Sequence, residues 1–186
     1  MNLIFKAAIE ISNYLKNEEW PFCIIGGLAN QCWGEPRTTQ DVDLTILTGI
    51  GNEHYFAEKI LSSFQSRIED ALQFAINYRV LLVQSSEGVP IDISFGALPF
   101  EENMISRSVE FEFMPGVILN ICSSEDLFIM KAFASRPKDW LDASGIAQKQ
   151  KNKLDTKYIL KHLKELSDLK EEPEIYYNAQ RLLKIK

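Results

Sequence analysis

Apolar residues recur with a helical period across residues 2–17, at Ile4, Ala7, Ala8, Ile11, Tyr14 and Leu15, with polar residues between them. That spacing predicts an amphipathic helix. A compact apolar run at 21–26 reads as a buried strand, and 28–33 as a short helix opened by Gly26-Gly27. Gly34-Glu35-Pro36 stops that helix, because proline disfavours helical geometry in the residue before it. The pattern then predicts a strand at 43–47, a helix at 53–64 and two antiparallel strands, 78–83 and 89–95, joined by the polar turn 84–88. A second hairpin, 111–114 with 117–121, turns at Pro115-Gly116. From Ser123 onward the pattern is helical. Ser124 with Glu125 and Asp126 predicts a cap for the apolar run 127–134. Pro137 opens another helix, and 156–167 and 174–184 supply two more, with Pro173 near the start of the last. The order predicts an α+β fold: a mixed β-sheet flanked by helices, then a helical C-terminal third, dividing near residue 122.

Length and composition leave this picture intact. At 186 residues the chain is long enough for one domain with a full core. Its 46% hydrophobic and 25% charged content is that of an ordinary globular protein. No apolar run is long enough for a membrane helix, and no signal peptide is evident. Cys23, Cys32 and Cys122 are scattered in apolar sequence, which predicts buried thiols and a reducing cytoplasm. Charge adds an asymmetry. Residues 151–186, Lys186 included, carry nine Lys or Arg against six acids, a net of +3, so the first 150 residues hold −9 of the overall −6. A basic tail beside an acidic body suits a polyanionic partner; a merely solvated helix face is the plainer reading.

Three carboxylates change the picture. Asp41 and Asp43 flank Val42 where a strand begins. Side chains alternate across a strand, so both point to one face, roughly 7 Å apart along it, and Asp is depleted in strands. Asp92 lies in the middle of the apolar strand 89–95, where a lone carboxylate is costly unless paired or metal-bound. On neighbouring strands the three repel. At about 5 Å and an effective dielectric near 20, each pair costs roughly 3 kcal/mol, a large share of a total stability of about 5–15 kcal/mol. Positive charge must sit among them. Hard divalent ions fit: Mg²⁺ takes carboxylate oxygens together with water and phosphate oxygens, and two ions about 4 Å apart clamp the attacking and leaving oxygens of an in-line displacement. The metal-free alternative is a salt bridge to Arg37, Lys131 or Arg136. Gly26-Gly27, at a strand-to-helix turn, lets backbone approach a ligand and offers N–H groups to phosphate. Alone, such a pair is more often only a tight turn.

The order strand, Gly26-Gly27, short helix, Asp41-Val42-Asp43, then Asp92 on a further strand resembles the nucleotidyltransferase superfamily, with its polymerase-β-like fold. Gly-Gly-Leu-Ala followed by Arg37-Thr-Thr-Gln-Asp-Val-Asp43 is most similar to the minimal nucleotidyltransferases near the AbiEii/AbiGii toxin family. The segment from Lys131 through Arg136, Lys138 and Asp139 to Asp142 is similar to that group's helical Lys…Ala…Arg…Lys-Asp…Asp stretch. The likeness reaches about residue 145. Gly27 stands where many relatives carry Ser.

The resemblance implies a nucleotidyltransferase-like sheet, with a catalytic core at 1–122 and a helical region, 123–186, packed on it. It implies an NTP substrate, two Mg²⁺ ions (Mn²⁺ as an alternative) and transfer of a nucleoside monophosphate with release of pyrophosphate. Asp41 and Asp43 would bind metal, while Asp92 would help hold one ion and orient or deprotonate the acceptor hydroxyl. Gly26 and Gly27 would contact the triphosphate through backbone. Lys131 would neutralise phosphate charge as a point cation, or stand as a solvated helix lysine. Arg37, Arg136 and Lys138, with Asp139, are further nucleotide-binding candidates, and Arg37 has pairing with Asp41 as its alternative. Asp139 and Asp142 would orient Lys or Arg groups, or simply charge a helix's first turn. The expected acceptor is RNA, a tRNA end, in a toxin-like or phage-defence setting with a cognate antitoxin as partner. A small hydroxylated acceptor such as an antibiotic, a partner protein, or a nucleotide-binding relative without turnover are the alternatives.

Overall fold

A computed structural model describes residues 2–184, so Lys186 of the basic tail lies outside the described residues. The chain divides into two compact units, Met1–Leu28 with Thr38–Cys122, and Ala29–Arg37 with Ser123–Lys186.

In the first unit α1 (Leu3–Asn17) is capped by Asn2, whose side chain accepts the Ile4 N–H at 3.3 Å. The helix buries Ile4, Ala7, Ala8, Ile11 and Leu15, the face that the periodicity predicts. It is followed by β1 (Phe22–Ile24), α2 (Gly26–Trp33, of which the first three residues belong here) and β2 (Val42–Leu47). Then come α3 (Glu53–Leu61), β3 (Gln65–Ser66), α4 (Ala71–Tyr78), β4 (Val80–Gln84), β5 (Pro90–Gly96), α5 (Pro99–Ser106), β6 (Val109–Met114) and β7 (Val117–Ile121). The strands form one mixed sheet in the order β3-β4-β5-β2-β1-β7-β6. Its two predicted hairpins, β4–β5 and β6–β7, are antiparallel. The central pair β2–β5 is parallel, as is β1–β7. Val42, Leu44 and Ile46 of β2 and Ile91 and Ile93 of β5 are fully buried. Every second position between them is therefore directed to the opposite face.

Two helices of this unit lack a sequence signal. In α4 only Ala71 and Ala75 are buried, a stripe too thin to register as amphipathic, and Tyr78, expected in a strand, instead ends that helix. In α5 the start is fixed by Pro99 and by Glu101, whose carboxylate accepts the N–H groups of Ala97 (2.7 Å) and Leu98 (2.8 Å). That helix rests on its cap more than on periodic burial.

The second unit holds α6 (Ser124–Ala134), α7 (Pro137–Lys149), α8 (Thr156–Lys170) and α9 (Glu174–Leu183). The cap of α6 is Ser123 rather than Ser124: its hydroxyl accepts the Asp126 N–H at 3.1 Å and donates to the Asp126 carboxylate at 2.5 Å. Ser124 is already helical. Along α8, Ile159, His162, Leu163 and Leu166 form the buried stripe. Residues 29–37 join this unit through side-chain-to-backbone hydrogen bonds: Lys149 Nζ donates to the Gly34 carbonyl at 3.0 Å and Gln150 Nε2 to that of Trp33 at 3.1 Å. Gly145 admits Glu35, whose backbone N would lie 3.1 Å from a Cβ there. Among the described residues no helix is long and apolar enough to cross a membrane.

Candidate active site

The parallel pairing of β2 with β5 sets Asp43 directly opposite Asp92. Asp41 precedes β2 by one residue and, two positions from Asp43, shares its face. Each of the three offers a carboxylate oxygen within 4.8 Å of the other two, and all three side chains are half-buried. Burial pushes the Asp92 carboxyl above its ordinary value; the nearby Arg67 opposes this and the charge of Asp41 adds to it. Arg67 forms an ion pair with Asp92. It is a cation partner beyond the Arg37, Lys131 and Arg136 expected from sequence.

The glycine pair is required by this cluster. Gly26 sits at φ +59°, and a Cβ there would lie 1.9 Å from Asp43 Oδ2. At Gly27 a Cβ would lie 2.3 Å from Thr39 Oγ1 and 2.6 Å from Thr39 Cβ. Both positions therefore exclude a side chain while Asp43 and Thr39 stay where they are. The serine carried by many relatives at Gly27 has no room beside Thr39. The Gly27 N–H points toward Asp43 Oδ2 at 3.4 Å, and the Thr39 hydroxyl donates to Asp41 Oδ1 at 2.8 Å.

This donor set fits a hard divalent cation. Three carboxylates converge within reach of one ion, and the missing side chains at Gly26 and Gly27 let Asp43 and Thr39 take up these positions. The residues that would hold the ion are Asp41, Asp43 and Asp92.

A second ionic cluster lies in the helical unit. Lys131, 8% exposed on α6, reaches Asp139 at 3.2 Å and Asp142 at 2.8 Å, both on α7. Arg37 grips Asp142 with two bonds of 3.1 Å. Arg136, mostly exposed, donates to Asp139. Burial raises both carboxyls, but hydrogen bonds outweigh it and hold each below the ordinary value: from Arg136 and Lys131 at Asp139, from Arg37 and Lys131 at Asp142. Lys131 is thus no solvated helix lysine, and Arg37 pairs with Asp142 rather than Asp41. Asp139 and Asp142 do orient Lys and Arg groups. Lys138 is exposed.

The expected residues accordingly fall into two groups, Gly26, Gly27, Asp41, Asp43 and Asp92 in the first unit, and Arg37, Lys131, Arg136 and Asp139 in the second. Thr39 and Arg67 carry no site role in the sequence reading. Thr39 reaches Asp41 across the bend at Gln40 and Asp41, outside any strand alternation. Arg67 is brought to Asp92 by long-range strand register. Cys23 and Cys122 are buried as expected. Cys32 is half-buried, and burial pushes its thiol up to about 12. Trp20, Trp33 and Trp140 are all half-buried.

Similarity to known proteins agrees with this geometry. An antigenic nucleotidyltransferase-like protein from Paracoccidioides brasiliensis superposes with a TM-score of 0.53 at 14% identity, over 94% of this chain and 90% of its own. The antibiotic-resistance factor ANT(2'')-Ia gives 0.51 at 14% identity, over 95% and 89%. The lincosamide antibiotic adenylyltransferase LnuA, solved with lincomycin bound, gives 0.51 at 10% identity, over 76% and 94%. At such identities the likeness shows the nucleotidyltransferase fold. No curated protein sequence matches. The model of the AbiEii nucleotidyl transferase toxin of Type IV toxin–antitoxin systems matches residues 15–184. That span takes in the glycine pair, all three clustered carboxylates and the Lys131 network, and the chain belongs to the AbiEii nucleotidyltransferase toxin family.

Proposed function

We propose that this protein transfers a nucleoside monophosphate from an NTP to an acceptor hydroxyl, with RNA, at a tRNA end, as the acceptor and a toxin-like role in phage defence. The acceptor oxygen would attack the α-phosphorus, and the bond to the pyrophosphate oxygen would break, its electron pair leaving with pyrophosphate. The observation that carries the reading is the convergence of Asp41, Asp43 and Asp92 on one face beside Gly26-Gly27. Asp41, Asp43 and Asp92 are assigned as ligands for two Mg²⁺ ions, or Mn²⁺, which when bound supply charge neutralisation for the phosphates and activation of the acceptor hydroxyl.

The remaining roles belong to the chain's own groups. Gly26 and Gly27 are assigned to contact the triphosphate through backbone at a helix start, and their missing side chains leave room for Asp43 and Thr39. Thr39 holds the Asp41 carboxylate in one orientation through its 2.8 Å hydrogen bond. Asp92 is assigned to orient the acceptor hydroxyl or take its proton. Arg37, Lys131 and Arg136, which bond Asp139 and Asp142, are assigned to the nucleotide together with Lys138, an exposed cation. The catalytic core is assigned to 1–122, with 123–186 as its helical partner region, and the working compartment to the cytoplasm. Family membership in a Type IV system supports a cognate antitoxin. The net charge of +3 in residues 151–186 supports a polyanionic acceptor.

A small-molecule acceptor is the second reading, favoured by two fold neighbours described as an antibiotic-resistance factor and an antibiotic adenylyltransferase. One experiment separates the readings. The protein is incubated with Mg²⁺ and each α-labelled NTP in the presence of total tRNA, of aminoglycosides and lincosamides, or of protein extract. Label in tRNA that is lost with Asp43→Asn supports the RNA reading. Label in the drugs or in protein moves the acceptor accordingly. Nucleotide binding without product in any pool would leave a binding protein.

A further inference from the structure

The register of the sheet places a cation at the carboxylate cluster that the sequence does not advertise. Gln65 and Ser66 of β3 pair with Gln84 and Val83 of β4, and the Arg67 N–H continues the ladder by donating to the Leu82 carbonyl at 3.1 Å. Leu82 pairs in turn with Asp92, and Asp92 with Asp43. Residues opposite one another in a ladder share a face, so Leu82, Asp92 and Asp43 form one row across β4, β5 and β2, and Arg67, one residue past the end of β3, lies at its outer end. Leu81 and Val83, on either side of Leu82, are buried on the opposite face. Two strand spacings, about 10 Å, separate the backbone of Arg67 from that of Asp92. The long arginine side chain passes over Leu82 and ends on the Asp92 carboxylate.

We propose that Arg67 is the built-in counter-cation of Asp92, and that a divalent ion entering the cluster must compete with its guanidinium for that carboxylate. Arg67 serves as a positioning residue. It keeps Asp92 aligned while the cluster lacks an ion, and its charge repels the incoming dication. With the side chains of Arg67 and Asp92 only 27% and 35% exposed, water screens the competition incompletely. A guanidinium is suited to this hand-over because it is weakly hydrated and its planar fork also fits a phosphate once released.

The proposal rests on the metal reading of the three carboxylates, and the test keeps the two apart. Mn²⁺ alone is titrated into the full-length protein, and free Mn²⁺ is read by electron paramagnetic resonance, with no nucleotide and no turnover. Arg67→Gln should tighten Mn²⁺ binding about fivefold, the scale of a partly exposed ion pair, and Arg67→Lys should fall between it and the wild type. In an Asp92→Asn background the Arg67→Gln gain should shrink, because only the direct charge repulsion is left to relieve. Unchanged or weaker Mn²⁺ binding in Arg67→Gln, with circular dichroism confirming the fold, would overturn the competition and make Arg67 a permanent support for the site. Mn²⁺ binding that is indifferent to Asp41→Asn and Asp43→Asn would instead overturn the metal reading itself.

Discussion

Two clusters of buried or half-buried charge among the described residues solve the same problem in opposite ways. In the helical unit two carboxylates, Asp139 and Asp142, meet three cations, and each acid is bonded twice over. In the sheet unit three carboxylates meet Arg67, which pairs with Asp92. Burying charge costs several kcal/mol per ion unless it is paired. The first cluster meets that cost internally and therefore acts as structure. The second gathers three carboxylates on one face beside a glycine pair, the arrangement that the metal reading takes as a cation site. Like charge gathered and held in place by the fold distinguishes a site from a staple.

The largest effect expected from breaking this contrast is at Asp43. On the proposed reading Asp43→Asn should lower nucleotidyl transfer by about a thousandfold, while thermal stability stays level or rises because repulsions of roughly 3 kcal/mol per pair are relieved. Transfer assays and melting curves on the same sample check both halves. A variant that unfolds, or one that keeps wild-type turnover, would show that Asp43 belongs with the structural residues.

The mirror experiment targets the paired cluster. Asp139 is fully buried and Lys131 nearly so. Removing one partner strands the other, so Lys131→Met or Asp139→Asn should cost about 3 kcal/mol of stability, read as a lower urea midpoint. If either melts like the wild type, the network contributes no net stability and the contrast fails. Lys131→Met also addresses the phosphate role: a protein still folded at low temperature but with weaker NTP binding would assign Lys131 to both tasks.

A smaller effect tests the packing that fixes the metal ligands. Gly27→Ser should be destabilising by about 1–2 kcal/mol, since its Cβ meets Thr39. Adding Thr39→Gly removes the opposing atoms and should recover part of the loss, a coupling measurable in a double-mutant cycle. Additive losses would mean that Thr39 does not fill that space in solution.

The paired elements of the sheet and the carboxylate chemistry were legible for a shared reason: both are local. Alternation along β2 places Asp41 and Asp43 on one face, and the hairpins follow from apolar runs with polar turns. Asp92 was visible as a carboxylate in an apolar strand. What escaped depends on partners distant in sequence or on weak local signals. Arg67 reaches its site through register across β3, β4 and β5. Arg37 finds Asp142, 105 residues away. The helices α4 and α5 bury too few side chains to impose a period.

The smallest effect is the pH response, and its sign differs between the clusters. The Asp139 and Asp142 carboxyls lie below their ordinary value of 3.8. They stabilise the folded state fully above that value and lose the contribution as pH falls below it. The Asp92 carboxyl lies above 3.8. Its ionised form is disfavoured by folding, so acidification toward 3.8 relieves a cost rather than removing a support. Lowering the pH from 7 to 4 should thus leave α6 and α7 unaffected while β2 and β5 gain slightly, and only below 3.8 should α6 and α7 loosen. Hydrogen exchange, corrected for intrinsic rates, reads the two regions separately in peptides covering 124–149 and 90–96. Asp92→Asn should abolish the gain and leave the loss intact. A loss of protection in α6 and α7 already at pH 5 would show that their carboxyls are not held down by Lys131, Arg136 and Arg37, and that the helical cluster is no better paired than the one on the sheet.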